Sequence, residues 1–65
     1  MEIIVNGESR SIGEMSIRQL LEDLGIDPRR VAVELNSAIL PKSDYEQSTL
    51  NDGDRIEIVH FVGGG

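Results

Sequence analysis

Met15-Ser16-Ile17-Arg18-Gln19-Leu20-Leu21-Glu22-Asp23-Leu24-Gly25-Ile26-Asp27-Pro28 carries a start, a face and a stop for one helix, and its reading decides the fold. Ser16 is placed to cap the first turn, and Gln19 three residues on completes a Ser-x-x-Gln capping box. Met15 and Leu20 stand where a hydrophobic staple needs them. Ile17, Leu20, Leu21 and Leu24 follow the i, i+3, i+4, i+7 spacing, which gathers them into one apolar stripe. Gly25 suits the left-handed residue that ends a helix, and Pro28 prevents continuation. The spacing predicts a helix from Ile17 to Leu24 with a single face to bury.

The flanking segments supply the sheet that covers that face. Glu2 to Asn6 is apolar and β-branched, and Asn6-Gly7 favours a type I′ hairpin leading into a strand around Glu8 to Ile12. After the helix, Val31 to Leu35 alternates as a strand, Asn36-Ser37 is a tight connection, and Ala38 to Leu40 is a short return strand closed by Pro41. Lys42 to Thr49 is polar except for Tyr45, consistent with a single helical turn that tucks Tyr45 inward. Asn51-Asp52-Gly53-Asp54 is a dense turn signal before a last strand, Arg55 to Val62.

One helix on one face of a mixed sheet of four to five strands is an α+β two-layer domain. A right-handed crossover through the helix makes the first and last strands the natural parallel central pair. If Ile3, Val5, Ile56 and Ile58 face the helix, side-chain alternation turns Ile4, Val59 and Phe61 to the other face. No second helix is available to cover them. An exposed apolar patch there is a candidate partner-docking face; the alternative is that loop residues near Pro41 or Tyr45 cover it.

Composition excludes several kinds of function. Sixty-five residues make one small domain without room for a deep catalytic cleft of its own. The absence of cysteine removes disulfides, zinc-thiolate sites and cysteine nucleophiles. A formal charge of -6 repels phosphate backbones and argues against nucleic acid. No stretch spans a membrane and MEIIVNGE lacks the build of a signal peptide, so a cytoplasmic location is expected. Neither a metal cluster nor a phosphate-binding loop is visible.

Three glycines, Gly63, Gly64 and Gly65, follow the last strand. At a background near 7%, three in a row at a chosen place arise by chance on the order of 0.03% of the time. Such a tail can enter a narrow slot and present a terminal carboxylate to a partner; the alternative is a flexible end. Other candidates carry less. His60, a lone strand histidine without a carboxylate partner, reads as a surface residue. Glu22 and Asp23 are adjacent on the helix and do not face each other. Asp52 and Asp54 are turn residues, and Arg29-Arg30 is a strand lead-in with local charge pairing.

The opening MEIIVNG, the middle VAVELNSAILPKSDY, the close NDGDRIEIVHFVGGG and the terminal diglycine together resemble the ThiS family, the ubiquitin-like sulfur carriers of thiamin biosynthesis. The likeness extends over essentially the whole chain and is most specific from Asp52 to Gly65. It implies a β-grasp domain over residues 1–62 and a flexible glycine tail over 63–65. It further implies that Gly65 is adenylated and converted to a thiocarboxylate that gives its sulfur for thiazole formation, with Gly64 as the second member of the diglycine. The implied partners are an E1-like adenylating enzyme of the ThiF type, a thiazole synthase of the ThiG type and a sulfur donor protein. ATP and magnesium would be used by the activating partner, so the chain would be a carrier that binds no cofactor, and not an enzyme. Gly63 departs from the pattern as a third glycine that loosens the tail. Two alternatives remain open: the small subunit of a molybdopterin synthase, usually a longer chain, and a ubiquitin-like modifier or interaction module.

Overall fold

Asn6 and Gly7, with φ of 48° and 83°, form the type I′ turn that joins β1, Glu2–Val5, to β2, Glu8–Ser11, in an antiparallel hairpin. The structure, a computed structural model, describes residues 1–61. Helix α1 covers Ile17–Asp23, with Leu24 as the C-cap. Its capping box is complete: Gln19 N–H donates to Ser16 Oγ at 3.2 Å, and Ser16 N–H donates to Gln19 Oε1 at 3.1 Å. The helix stops in a Schellman motif. Ile26 N–H donates to the Leu21 carbonyl at 2.9 Å and Gly25 N–H to that of Glu22 at 3.0 Å, with Gly25 at φ 73°.

A 3-10 turn at Pro28–Arg30, capped by Asp27, leads into β3, Val31–Leu35. Asn36 and Ser37, with φ of 51° and 72°, turn the chain into β4, Ala38–Leu40. A second 3-10 turn, Lys42–Asp44, precedes a winding connection to β5, Arg55–His60. The strands lie in the order β2-β1-β5-β3-β4, with β1 and β5 parallel and the other neighbours antiparallel. This is the β-grasp arrangement, with the first and last strands paired at its centre as the crossover argument requires. None of the described helices is long and apolar enough to cross a membrane.

The core lies between α1 and one face of the sheet. Ile3 and Val5, Val31 and Val33, and Ile56 and Ile58 are buried against Ile17, Leu20 and Leu21. Each such side chain contributes about 1.5–3 kcal/mol when fully buried. Tyr45 is buried as expected, and Leu50 beside it is buried although the polarity of its surroundings gave no sign of this. The segment that holds them also completes α1. The Ile17 N–H donates to the Ser48 carbonyl at 2.9 Å and the Arg18 N–H to that of Tyr45 at 3.0 Å, so two helix N–H groups without partners inside the helix are satisfied.

Candidate functional site

Strand β5 positions everything the sequence nominates, because it sits in the middle of the sheet and leads to the glycines. The turn residue of each hairpin fastens it. Asn6 donates through Nδ2 to the Ile58 carbonyl at 3.2 Å and accepts from the Ile58 N–H at 2.7 Å. On the other side, Asn36 Oδ1 accepts from the Arg55 N–H at 2.9 Å, and Asn36 Nδ2 donates to the buried carboxylate of Asp54 at 3.0 Å. Asp54 also accepts from the Asn51 N–H at 2.8 Å, so it organises the turn that launches the strand.

The sheet face opposite α1 carries the expected patch, with one correction and one addition. Val59 and Phe61 are 56% and 59% exposed. Ile4 is only half-buried, because its β1 position opposite Arg55 has strands on both sides. Ile39, which sequence reading did not select, is 74% exposed. The signal was present: with Leu40 opposite Val33 on the core side, alternation along β4 sends Ile39 outward. Of the loop that could partly cover this face, Tyr45 lies in the core, whereas Lys42, next to Pro41, sits over the Phe61 ring. Burial raises the Tyr45 phenol pKa, opposed by a hydrogen bond with the Val33 backbone.

Rows on this face follow the register. Glu57 lies opposite Glu34, which lies opposite Ile39; Val59 lies opposite Ala32. One step further, Phe61 N–H donates to the Arg30 carbonyl at 2.9 Å. The Lys42 ammonium sits 4.8 Å from the centre of the Phe61 ring and donates to the Arg29 carbonyl at 3.0 Å. This cation–π contact holds the last described residue against the body of the domain. Val62, Gly63, Gly64 and Gly65 lie outside the described residues.

The remaining ionisable groups have structural partners or face solvent. Asp27 accepts from the Arg29 side chain at 3.0 and 3.2 Å and from the Arg29 N–H at 2.9 Å, and these bonds hold its pKa down to about 2. Arg30 approaches the same carboxylate at 3.7 Å, the local charge pairing expected of Arg29-Arg30. Glu2 is lowered by hydrogen bonds from Ser11 and Ser9. Asp52 accepts from the Glu2 N–H at 2.7 Å, ordinary turn chemistry. Glu22 pairs with Arg18 at 3.3 Å, and His60 is exposed. Among the described residues no group of three His, Asp or Glu is placed to hold a metal ion.

Comparison with known proteins converges on one family. The model of the ThiS family matches residues 3–65. A thiazole synthase of Paramagnetospirillum magneticum is 52% identical over 66 residues, an alignment covering all of this chain and 20% of that protein. The chain thus spans about a fifth of the length of that relative. The sulfur carrier protein ThiS of Bacillus subtilis is 46% identical over 50 residues, covering 77% of this chain and 76% of that one. Among solved structures, the crystal structure of the thiamine biosynthesis protein ThiS from Geobacter metallireducens superposes with a TM-score of 0.86 at 32% identity, covering 100% of both chains.

Proposed function

This chain belongs to the ThiS family, and on that premise we propose that it is a sulfur carrier of thiamin biosynthesis whose cargo is held at Gly65. The observation that carries this reading is the central strand β5, fastened on both sides and leading from an exposed apolar face to three glycines. A terminal carboxylate is ionised at neutral pH and is a poor electrophile. Activation transfers AMP from ATP to the Gly65 carboxylate with loss of pyrophosphate. Sulfide then displaces AMP to leave a thiocarboxylate; alternatively a persulfide attacks, and a thiol cleaves the resulting acyl disulfide.

This chain's part is to present the acyl carbon. Three extended residues reach about 10 Å, enough to enter a slot while the folded body stays outside. Side chains at Gly64 or Gly65 would crowd the attacked carbon. Adenylation belongs to an E1-like partner of the ThiF type, which uses the ATP and magnesium, and docking falls to Val59 and Phe61, with Ile4 at the margin and Ile39 further out on β4 across from Glu34. Delivery to a thiazole synthase of the ThiG type is supported by a relative of that name that contains a segment 52% identical to this whole chain. Cytoplasmic location and the role of carrier rather than enzyme follow from the same reading. Incubation with ATP, sulfide and the adenylating enzyme, followed by intact mass, tests it: one oxygen exchanged for sulfur at Gly65 is expected. An unchanged mass with an active enzyme would move the reading to a modifier or binding module.

A further inference from the structure

Along β5 the open face carries Arg55, then Glu57, Val59 and Phe61, so one cation precedes the acidic row. Glu34 and Glu57 stand directly opposite each other, a like-charge cross-strand pair that weakens the sheet. Among the described residues neither takes part in an ion pair. Two residues along come Val59 and Ala32, and two further the chain reaches Phe61 beside Arg30. There the sign reverses. Arg29 and Arg30 share the single carboxylate of Asp27, and Lys42 adds a third cation over the Phe61 ring. Half of the six basic residues of an acidic chain therefore gather where β5 leaves the sheet. The acidic and basic ends lie about 13 Å apart, four residues at strand spacing.

A uniformly acidic face would attract a basic partner in any orientation, whereas a run of Arg55, the Glu57–Glu34 pair, apolar Val59, and then Arg30 and Lys42 about Phe61 is asymmetric and accepts it in one. Turned by half a rotation, the partner would set like charges against each other at both ends. We propose that this charge order is a polarity key which fixes how the activating partner is met, so that the residues after Phe61 run toward its slot. The fitting partner carries acidic side chains at the mouth of the slot, an apolar contact for Val59 and Phe61, and basic side chains beyond it for Glu34 and Glu57. The inference rests on the carrier reading above.

The test uses the whole chain and the purified adenylating enzyme, with Kd measured at low and moderate salt, loading followed by intact mass, and folding by thermal melting. Reversing the acidic end (E34K with E57K) or the basic end (R30E with K42E) is expected to weaken binding about tenfold. Reversing both ends restores the formal charge of -6 and is expected to bind more weakly still. The neutral pair E34Q with E57Q covers the case in which reversal prevents folding: it is expected to raise the melting temperature while weakening binding, which a structural role does not produce. Native binding by the fully reversed chain would mean that only net charge matters, and overturns the key. Self-association through this face with enzyme binding unchanged in all variants overturns it equally. If the unmodified chain is never loaded, the carrier reading itself fails, a result separate from these.

Discussion

The side-chain amide of Asn6 bridges the backbone of Ile58, accepting from its N–H at 2.7 Å and donating to its carbonyl at 3.2 Å. Strand β1 pairs with β5 through Ile4 and Arg55 and through Val5 and Ile56 before it turns away. The amide adds a further rung after the backbone has left, and the positive φ of Asn6 lets the same residue make the turn.

Replacing Asn6 by glycine keeps the turn conformation and removes both bonds. A loss of about 2 kcal/mol is expected, the cost of leaving part-buried backbone groups unpaired. Alanine should cost about 1 kcal/mol more, since its Cβ resists a left-handed backbone. Urea unfolding of the two variants measures this, and equal stability of N6G and the parent would remove the rung from the account.

Ser37 occupies the second place of a type I′ turn at φ 72°, where glycine has no steric cost. Ser37→Gly relieves about 1–2 kcal/mol of strain and loses about 0.5–1 kcal/mol to the freer unfolded chain. The unfolding midpoint should therefore rise modestly while sulfur loading is unchanged. A lower midpoint would show that the turn is held by something other than its backbone.

Phe61→Asp and Ile4→Asp separate docking from folding. Phe61 is exposed, so the change should weaken binding of the adenylating enzyme at least tenfold and shift the melting temperature little. Ile4 is half-buried and should lose stability as well. Comparable losses of melting temperature at both sites would mean that the patch is structural.

The carboxyl of Asp27 is held near 2 against an ordinary value of 3.8. A depressed folded-state pKa means that the group stabilises the fold above about pH 4 and loses that contribution as pH falls toward 2. Asp27→Asn should therefore flatten the acid end of the stability profile between those values. A carbon-detected titration of Asp27 with its midpoint near 4 would contradict the geometry.

Deleting Gly65 should abolish loading and leave the melting temperature unchanged, because the core closes among Ile3, Leu21, Ile56 and their neighbours. Intact mass after incubation with ATP, sulfide and the adenylating enzyme checks the first part. Normal loading of the shortened chain would show that a terminal Gly63-Gly64 serves as well and that Gly65 itself is not required.

Elements whose instructions are local were legible in the sequence. Ser16 and Gln19 cap the helix, Gly25 ends it, and the strands Val31–Leu35 and Ala38–Leu40 fall where alternation puts them. The helix end moved by one residue, from Leu24 to Asp23, because Leu24 serves as the cap. The second strand ended at Ser11 rather than Ile12, as Ile12 turns toward the core. Features that depend on distant partners stayed hidden. Leu50 sits among polar residues and is buried because its segment pairs with the chain that enters α1, the Leu50 N–H donating to the Met15 carbonyl, and Asn6 and Asn36 declare a turn without declaring the strand they grip. For the candidate site, alternation placed Val59 and Phe61 outward, but the meeting of Lys42, Arg30 and Phe61 required the three-dimensional path of the connection after β4.

The parallel pairing of β1 with β5 joins residues some fifty positions apart. As the chain leaves the ribosome, its first hairpin must wait for the last strand before either has a lasting neighbour, so closure comes late. A product cut short before Arg55 consists of two hairpins and a helix whose apolar faces have nothing to hold them together. Quality control is thus built into the order of synthesis: a domain folded well enough to be recognised has already been translated through its central strand.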